Sequence, residues 1–221
     1  MRMSTSYCRA YKFCQQLVVL FLLTLPVTHA HAHPHNYVQV EATISINAGA
    51  VQGLLYVWRF DSKYVEGLKE EYDANHDGIL SDEELLAWLA ASKSNLETFK
   101  YFTTLRQGRD TVPIGSAENH RVERTKDGIA LHFTIKPAKA INMKSGQLQV
   151  DIYDRTFFTE FVLGEGRGVT AETKGGGSCA ATVALAPSGE QQKAITAFMK
   201  VFGRVDAKLA PAKAITVTCK D

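Results

Sequence analysis

Asp73 to Glu84 carries the most specific chemistry in the sequence, reading D-x-[DN]-x-[DN]-G-x5-E without a violated position. A calcium ion takes roughly six to eight oxygens at about 2.3–2.6 Å. The stretch offers them from Asp73, Asn75 and Asp77, the Ile79 carbonyl, Ser81 directly or through water, and both oxygens of Glu84. Gly78 stands where the loop must turn sharply, and Leu80 can pack inward while its neighbours face the metal. Three carboxylates with one neutral amide imply moderate affinity, and extracellular modules work at Kd values of about 10⁻⁴–10⁻³ M.

A second constellation is made of histidines. His29, His31, His33 and His35 alternate, and neutral imidazole suits copper, nickel, cobalt or zinc. In a chain starting at His33, the free amine, the His33 ring and His35 could hold such an ion. Pro34 lacks an amide proton, so a site using deprotonated second and third amides requires the other start, His31-Ala32-His33. His120 and His132 earn no role from sequence alone. Asp151 and Asp154, with Arg155 adjacent, suit a structural ion pair or a turn cap better than a catalytic pair. Serine-nucleophile, P-loop and H-E-x-x-H patterns are absent, and no enzyme is expected; a hydrolase assembled from distant residues is the weakest alternative.

The loop needs a helix on each side, and Ser62 to Tyr72 and Asp82 to Asn95 supply them, with Ser81 and Glu84 forming a capping box. Around this EF-hand-like insertion over 62–96 the pattern is one of strands. Val38 to Ile46 alternates at period two, and Val51 to Phe60 follows as its hairpin partner. Further strands are expected at 100–106, 111–114, 120–124, 129–136, 148–153 and 214–218. Ser188-Gly189-Glu190-Gln191 opens a helix with Ile195, Phe198 and Phe202 on one face, closed by Gly203. The expected fold is therefore α+β: an antiparallel β-sandwich-like domain with an inserted EF-hand helix–loop–helix and a C-terminal helix.

Arg2, Arg9 and Lys12 precede the apolar run Leu17 to Val27, with small residues at Ala30 and Ala32, as in a secretory signal peptide over 1–32. Cleavage after Ala32 matches A-x-A better than cleavage after Ala30. Removing this leader takes away three basic and no acidic side chains, moving the formal balance from +2 to −1, so no nucleic-acid footprint remains. Cys8 and Cys14 leave with it. Cys179 and Cys219 remain and are expected to pair in an oxidising compartment, worth roughly 4 kcal/mol on the chain-entropy model.

Several segments together resemble a family of bacterial periplasmic proteins of unknown function, described as the periplasmic component of an uncharacterised ABC-type transport system. The resemblance runs through His33-Pro34-His35, Trp58-Arg59-Phe60, the calcium-type loop, Tyr101-Phe102, Leu131-His132-Phe133, Tyr153-Asp154-Arg155-Thr156-Phe157-Phe158, and Cys179 after three glycines. It implies a periplasmic protein encoded beside nickel/cobalt-type permeases, with an inner-membrane permease as partner and a role in transition-metal handling. It carries over no active-site residues. The expectation is thus a calcium-binding periplasmic accessory protein of a metal transport system; the alternative is a calcium-stabilised structural or interaction domain without a transport role.

Overall fold

The computed structural model describes residues 36–156, 158–164, 168–185, 193, 196–197 and 213–220. The expected signal peptide, His33 and His35 lie outside them, as does the expected C-terminal helix but for residues 193, 196 and 197.

The chain begins with the expected hairpin, β1 (Asn36–Asn47) and β2 (Ala50–Asp61), paired in register from Val38 opposite Phe60. Alternation decides the faces. Val38, Val40, Ala42, Ile44 and Ile46 are all buried, while the residues between them are not. Asp61 ends β2 and at once caps α1 (Ser62–Tyr72), its carboxylate accepting from the Tyr64 amide. After the loop comes α2 (Asp82–Thr98), then the strands β3 (Thr103–Gln107), β4 (Asp110–Val112), β5 (Ile114–Thr125), β6 (Gly128–Pro137), β7 (Leu148–Ile152), β8 (Thr159–Leu163), β9 (Val169–Lys174), β10 (Ser178–Leu185) and β11 (Lys213–Lys220).

These strands form two sheets, one ordered β5-β6-β2-β1-β8 with β9 also on β1, the other β10-β11-β7-β3-β4. Both β8 and β9 run parallel to β1, dividing its length between them. Glycine decides the β5–β6 turn: a Cβ on Gly128 would lie 1.9 Å from the Phe60 carbonyl oxygen. Cys179 and Cys219 face each other across β10 and β11 and form a disulfide.

The α+β expectation is overturned. Among the described residues strands dominate and only α1 and α2 are regular α-helices, so the fold is β-rich. There are two physical reasons. The helix pair is not an inserted unit with its own interior: Leu68, Leu80, Leu85, Trp88, Leu89 and Leu96 join the same apolar core as the inner residues of both sheets. Strand also extends where alternation is weak, in β8, β9 and β10, whose Thr and Ala residues are only partly covered.

Between α2 and β3, Lys100, Tyr101 and Phe102 take φ of 51°, 53° and 49°. Left-handed backbone costs an L-residue about 1–2 kcal/mol, so three in succession must be held by their surroundings. The Phe102 amide donates to the Phe99 carbonyl at 3.0 Å, the Tyr153 amide to the Phe102 carbonyl at 2.9 Å, and the Thr103 hydroxyl to the Tyr101 carbonyl at 2.8 Å. The turn drives the Tyr101 ring into the core, 2% exposed, where its hydroxyl meets His120 Nε2 at 3.0 Å.

Candidate metal centre

The loop from Asp73 to Glu84 runs between the end of α1 and the first turn of α2. Its sequence dictates its closure. Gly78 has φ of +79° with open space around it, so backbone conformation, not crowding, requires glycine there. His76 also lies at positive φ, 57°. The Ser81 hydroxyl accepts from the Glu84 amide while Glu84 accepts from the Ser81 amide, the capping box read from the sequence. Leu80 points into the core and Ile79 is exposed.

The acidic ends of the loop, Asp73 and Glu84, are 8% and 9% exposed. Both carboxylates are occupied by the loop's own donors. Asp73 Oδ2 accepts from the Gly78 amide at 2.8 Å and Oδ1 from Asp77 at 3.2 Å. Glu84 Oε1 accepts from the Ala74 amide at 2.8 Å, and Oε2 from the Ser81 amide at 2.8 Å and the Ser81 hydroxyl at 2.9 Å. Asn75 and Asp77 close the middle, with the Asp77 amide donating to Asn75 Oδ1 and the Ile79 amide to Asp77 Oδ1.

The hydrogen bond from the Ser81 amide, against desolvation by burial and with help from the Ser81 hydroxyl and the amides of Ala74 and Asn75, holds the Glu84 carboxyl below its usual range. The same bonds favour its carboxylate form. The donor set is entirely oxygen, the chemistry calcium takes. In this conformation, among the described residues, no group of three or more His, Cys, Asp and Glu side chains is gathered to hold a metal ion. The carboxylates face the loop's amides, so binding calcium requires Asp73, Asp77 and Glu84 to share or exchange those bonds.

Arg124 is a neighbour of the loop that sequence reasoning missed. From the end of β5 it donates to the Leu80 carbonyl at 2.6 Å and pairs with Asp82 at 2.6 Å, tying the exit of the loop to the sheet. Because 44 residues separate it from Leu80, no local pattern signals the contact.

The other candidates are separate from the loop. Asp151 pairs with Arg106 of β3 at 2.7 Å. Asp154 caps a turn, accepting from the Thr156 amide and hydroxyl and from the Thr159 amide. His132 is buried on the outer side of β6, bonded to Glu123 at 3.0 Å and Arg121 at 3.0 Å. His120 sits in a bulge of β5, beside Asn119 at positive φ, and burial pushes its pKa down.

Comparison with known proteins adds a family and little chemistry. The family model described as "Protein of unknown function (DUF1007)" matches residues 18–219. The chain is 26% identical over 118 residues to an "Uncharacterized 15.5 kDa protein in trpE 3'region" of Spirochaeta aurantia, covering 53% of this chain and 84% of that protein. No solved structure matches. No helix of the described residues is long and apolar enough to cross a membrane.

Proposed function

We propose, for a chain that belongs to the family described as a protein of unknown function (DUF1007), an exported calcium-binding role as an accessory or binding component of a transition-metal transport system. One observation carries the calcium reading: two buried, hydrogen-bonded carboxylates, Asp73 and Glu84, close a loop whose remaining donors are all oxygen. Asp73, Asn75, Asp77, Ser81, Glu84 and the Ile79 carbonyl would hold the ion. Calcium there would supply stabilisation and no reaction step.

The transport reading has different support, the resemblance of segments from His33-Pro34-His35 to Cys179 to periplasmic transport components. In it the protein works in the periplasm beside an inner-membrane permease. His33 and His35 would take nickel, cobalt, copper or zinc. The tie from Arg124 to Leu80 and Asp82 favours a second reading, a calcium-stabilised structural or interaction domain without a transport role.

Two experiments separate these readings. Thermal melting of protein starting at His33, with calcium and with chelator, should show a calcium-dependent rise that Asp73→Ala with Glu84→Gln abolishes; an equal rise in that variant sinks the calcium site. Nickel or copper titration against a His33→Ala, His35→Ala variant tests transport. Equal, millimolar-weak binding by both proteins leaves the structural reading in place.

A further inference from the structure

A cleft of about 720 Å³ opens beside the left-handed turn at Lys100–Phe102, and its lining shares no residue with the loop Asp73–Glu84. Its volume falls in the range of about 300–1,000 Å³ that small-molecule sites occupy.

The turn shapes its wall. While Tyr101 is driven inward, Phe99, Lys100 and Phe102 line the cleft. The rings of Phe99 and Phe102 lie parallel, 6° apart in plane and 5.4 Å between centroids, and Phe99 is 52% exposed. A parallel aromatic pair held open to solvent offers a platform for another planar apolar group. Backbone in sparsely populated conformations persists where the surroundings over-determine it, and it clusters at ligand sites. Here the hydrogen bonds from Phe102, Thr103 and Tyr153 supply that support.

Charge chooses the other half of the ligand. Lys100 and Arg155 line the cleft, the Arg155 guanidinium carbon 5.9 Å from the centroid of the Tyr153 ring. Lys100 makes no ion pair among the described residues. The acid in the lining, Asp154, is 5% exposed and accepts three hydrogen bonds from Thr156 and Thr159, so its charge is engaged by the fold. The cleft presents aromatic surface with positive charge.

We propose that this cleft binds a small aromatic carboxylate, its ring against the Phe99–Phe102 pair and its carboxylate toward Lys100. The proposal is independent of calcium and of transport.

The probe is 2-naphthoate, with 2-naphthamide as its uncharged counterpart, titrated calorimetrically into protein starting at His33. Saturable one-to-one binding of the acid is expected, with the amide weaker by about tenfold, the size of one lost charge contact of roughly 1.4 kcal/mol. Phe99→Ala and Lys100→Gln, both at the exposed rim, should each weaken 2-naphthoate by about fivefold or more while circular dichroism stays native. Leu86→Ser, at an exposed apolar position elsewhere on α2, should leave binding unchanged. Equal affinity for acid and amide, binding insensitive to Phe99→Ala, or the absence of saturable binding overturns the proposal.

Discussion

The loop Asp73–Glu84 and the turn Lys100–Phe102 both force L-residues into left-handed backbone, and they do so by opposite means. In the loop, glycine at position 78 relieves the sharpest demand, His76 takes the other, and side-chain carboxylates close the structure from within. In the turn there is no glycine. Three large side chains are held left-handed by contacts arriving from elsewhere, the Tyr153 amide, His120 and the rings of Trp58 and Phe133. A locally encoded conformation can be read from its own residues; one imposed by the tertiary structure cannot.

The largest effect expected from that contrast is at Tyr101. Tyr101→Ala removes a ring buried among Phe133 and His120 and should cost about 3–5 kcal/mol, as truncations of buried aromatics do. Urea denaturation measures it. A loss below about 1 kcal/mol would mean that the turn holds itself and the contrast fails.

Next in size is calcium. At a concentration 100 times Kd it should add about 2.7 kcal/mol to stability through the loop, and Tyr101→Ala should lower the baseline without changing that increment, because the two regions are held by different contacts. Denaturation of both proteins with and without calcium checks this.

The pH dependence also separates the regions. Glu84 is held below its ordinary 4.5 by the Ser81 amide, so its contribution is present above that value and lost as pH falls through the lower folded pKa. His120, beside Tyr101, is depressed below 6.5 by burial, so its contribution is present above 6.5 and lost as pH falls through its own folded value. Denaturation midpoints across the acid range should show two limbs, the upper removed by His120→Asn and the lower reduced by Glu84→Gln, the remainder belonging to Glu123, which hydrogen bonds from Arg121 and His132 also hold down. Tyr101, pushed up to about 12 by burial, stays protonated throughout.

The smallest effect concerns backbone alone. Relief of left-handed strain by Lys100→Gly or His76→Gly is largely offset by the extra freedom glycine has in the unfolded chain, for a net gain of about 0.5 kcal/mol. Equal gains at the two exposed positions would show that strain per residue is alike and that only its support differs.

What was legible in the sequence follows the same division. The alternation from Val38 to Ile46 predicts β1 and its buried face, and the capping box at Ser81 and Glu84 predicts the start of α2. The disulfide follows from the expectation that a leader carries off Cys8 and Cys14 and leaves two cysteines to pair, and the register of β10 on β11 places them face to face. Residues 100–106 read as a strand because nothing in Lys-Tyr-Phe signals a left-handed turn; the strand begins at Thr103. The strands β8, β9 and β10 escape because much of their side-chain surface stays open and the apolar signal is diluted. Arg106 and Arg124 find their acids through sheet pairing and helix docking, which sequence spacing does not record.

The central claim, that Asp73 to Glu84 is a calcium site, is tested most directly by calorimetric titration of calcium into metal-stripped protein starting at His33. The expected result is one ion per chain, with no uptake by the Asp73→Ala, Glu84→Gln variant. Absence of uptake by the parent protein up to about 10 mM, beyond the weakest extracellular modules, or equal uptake by the variant, would contradict it.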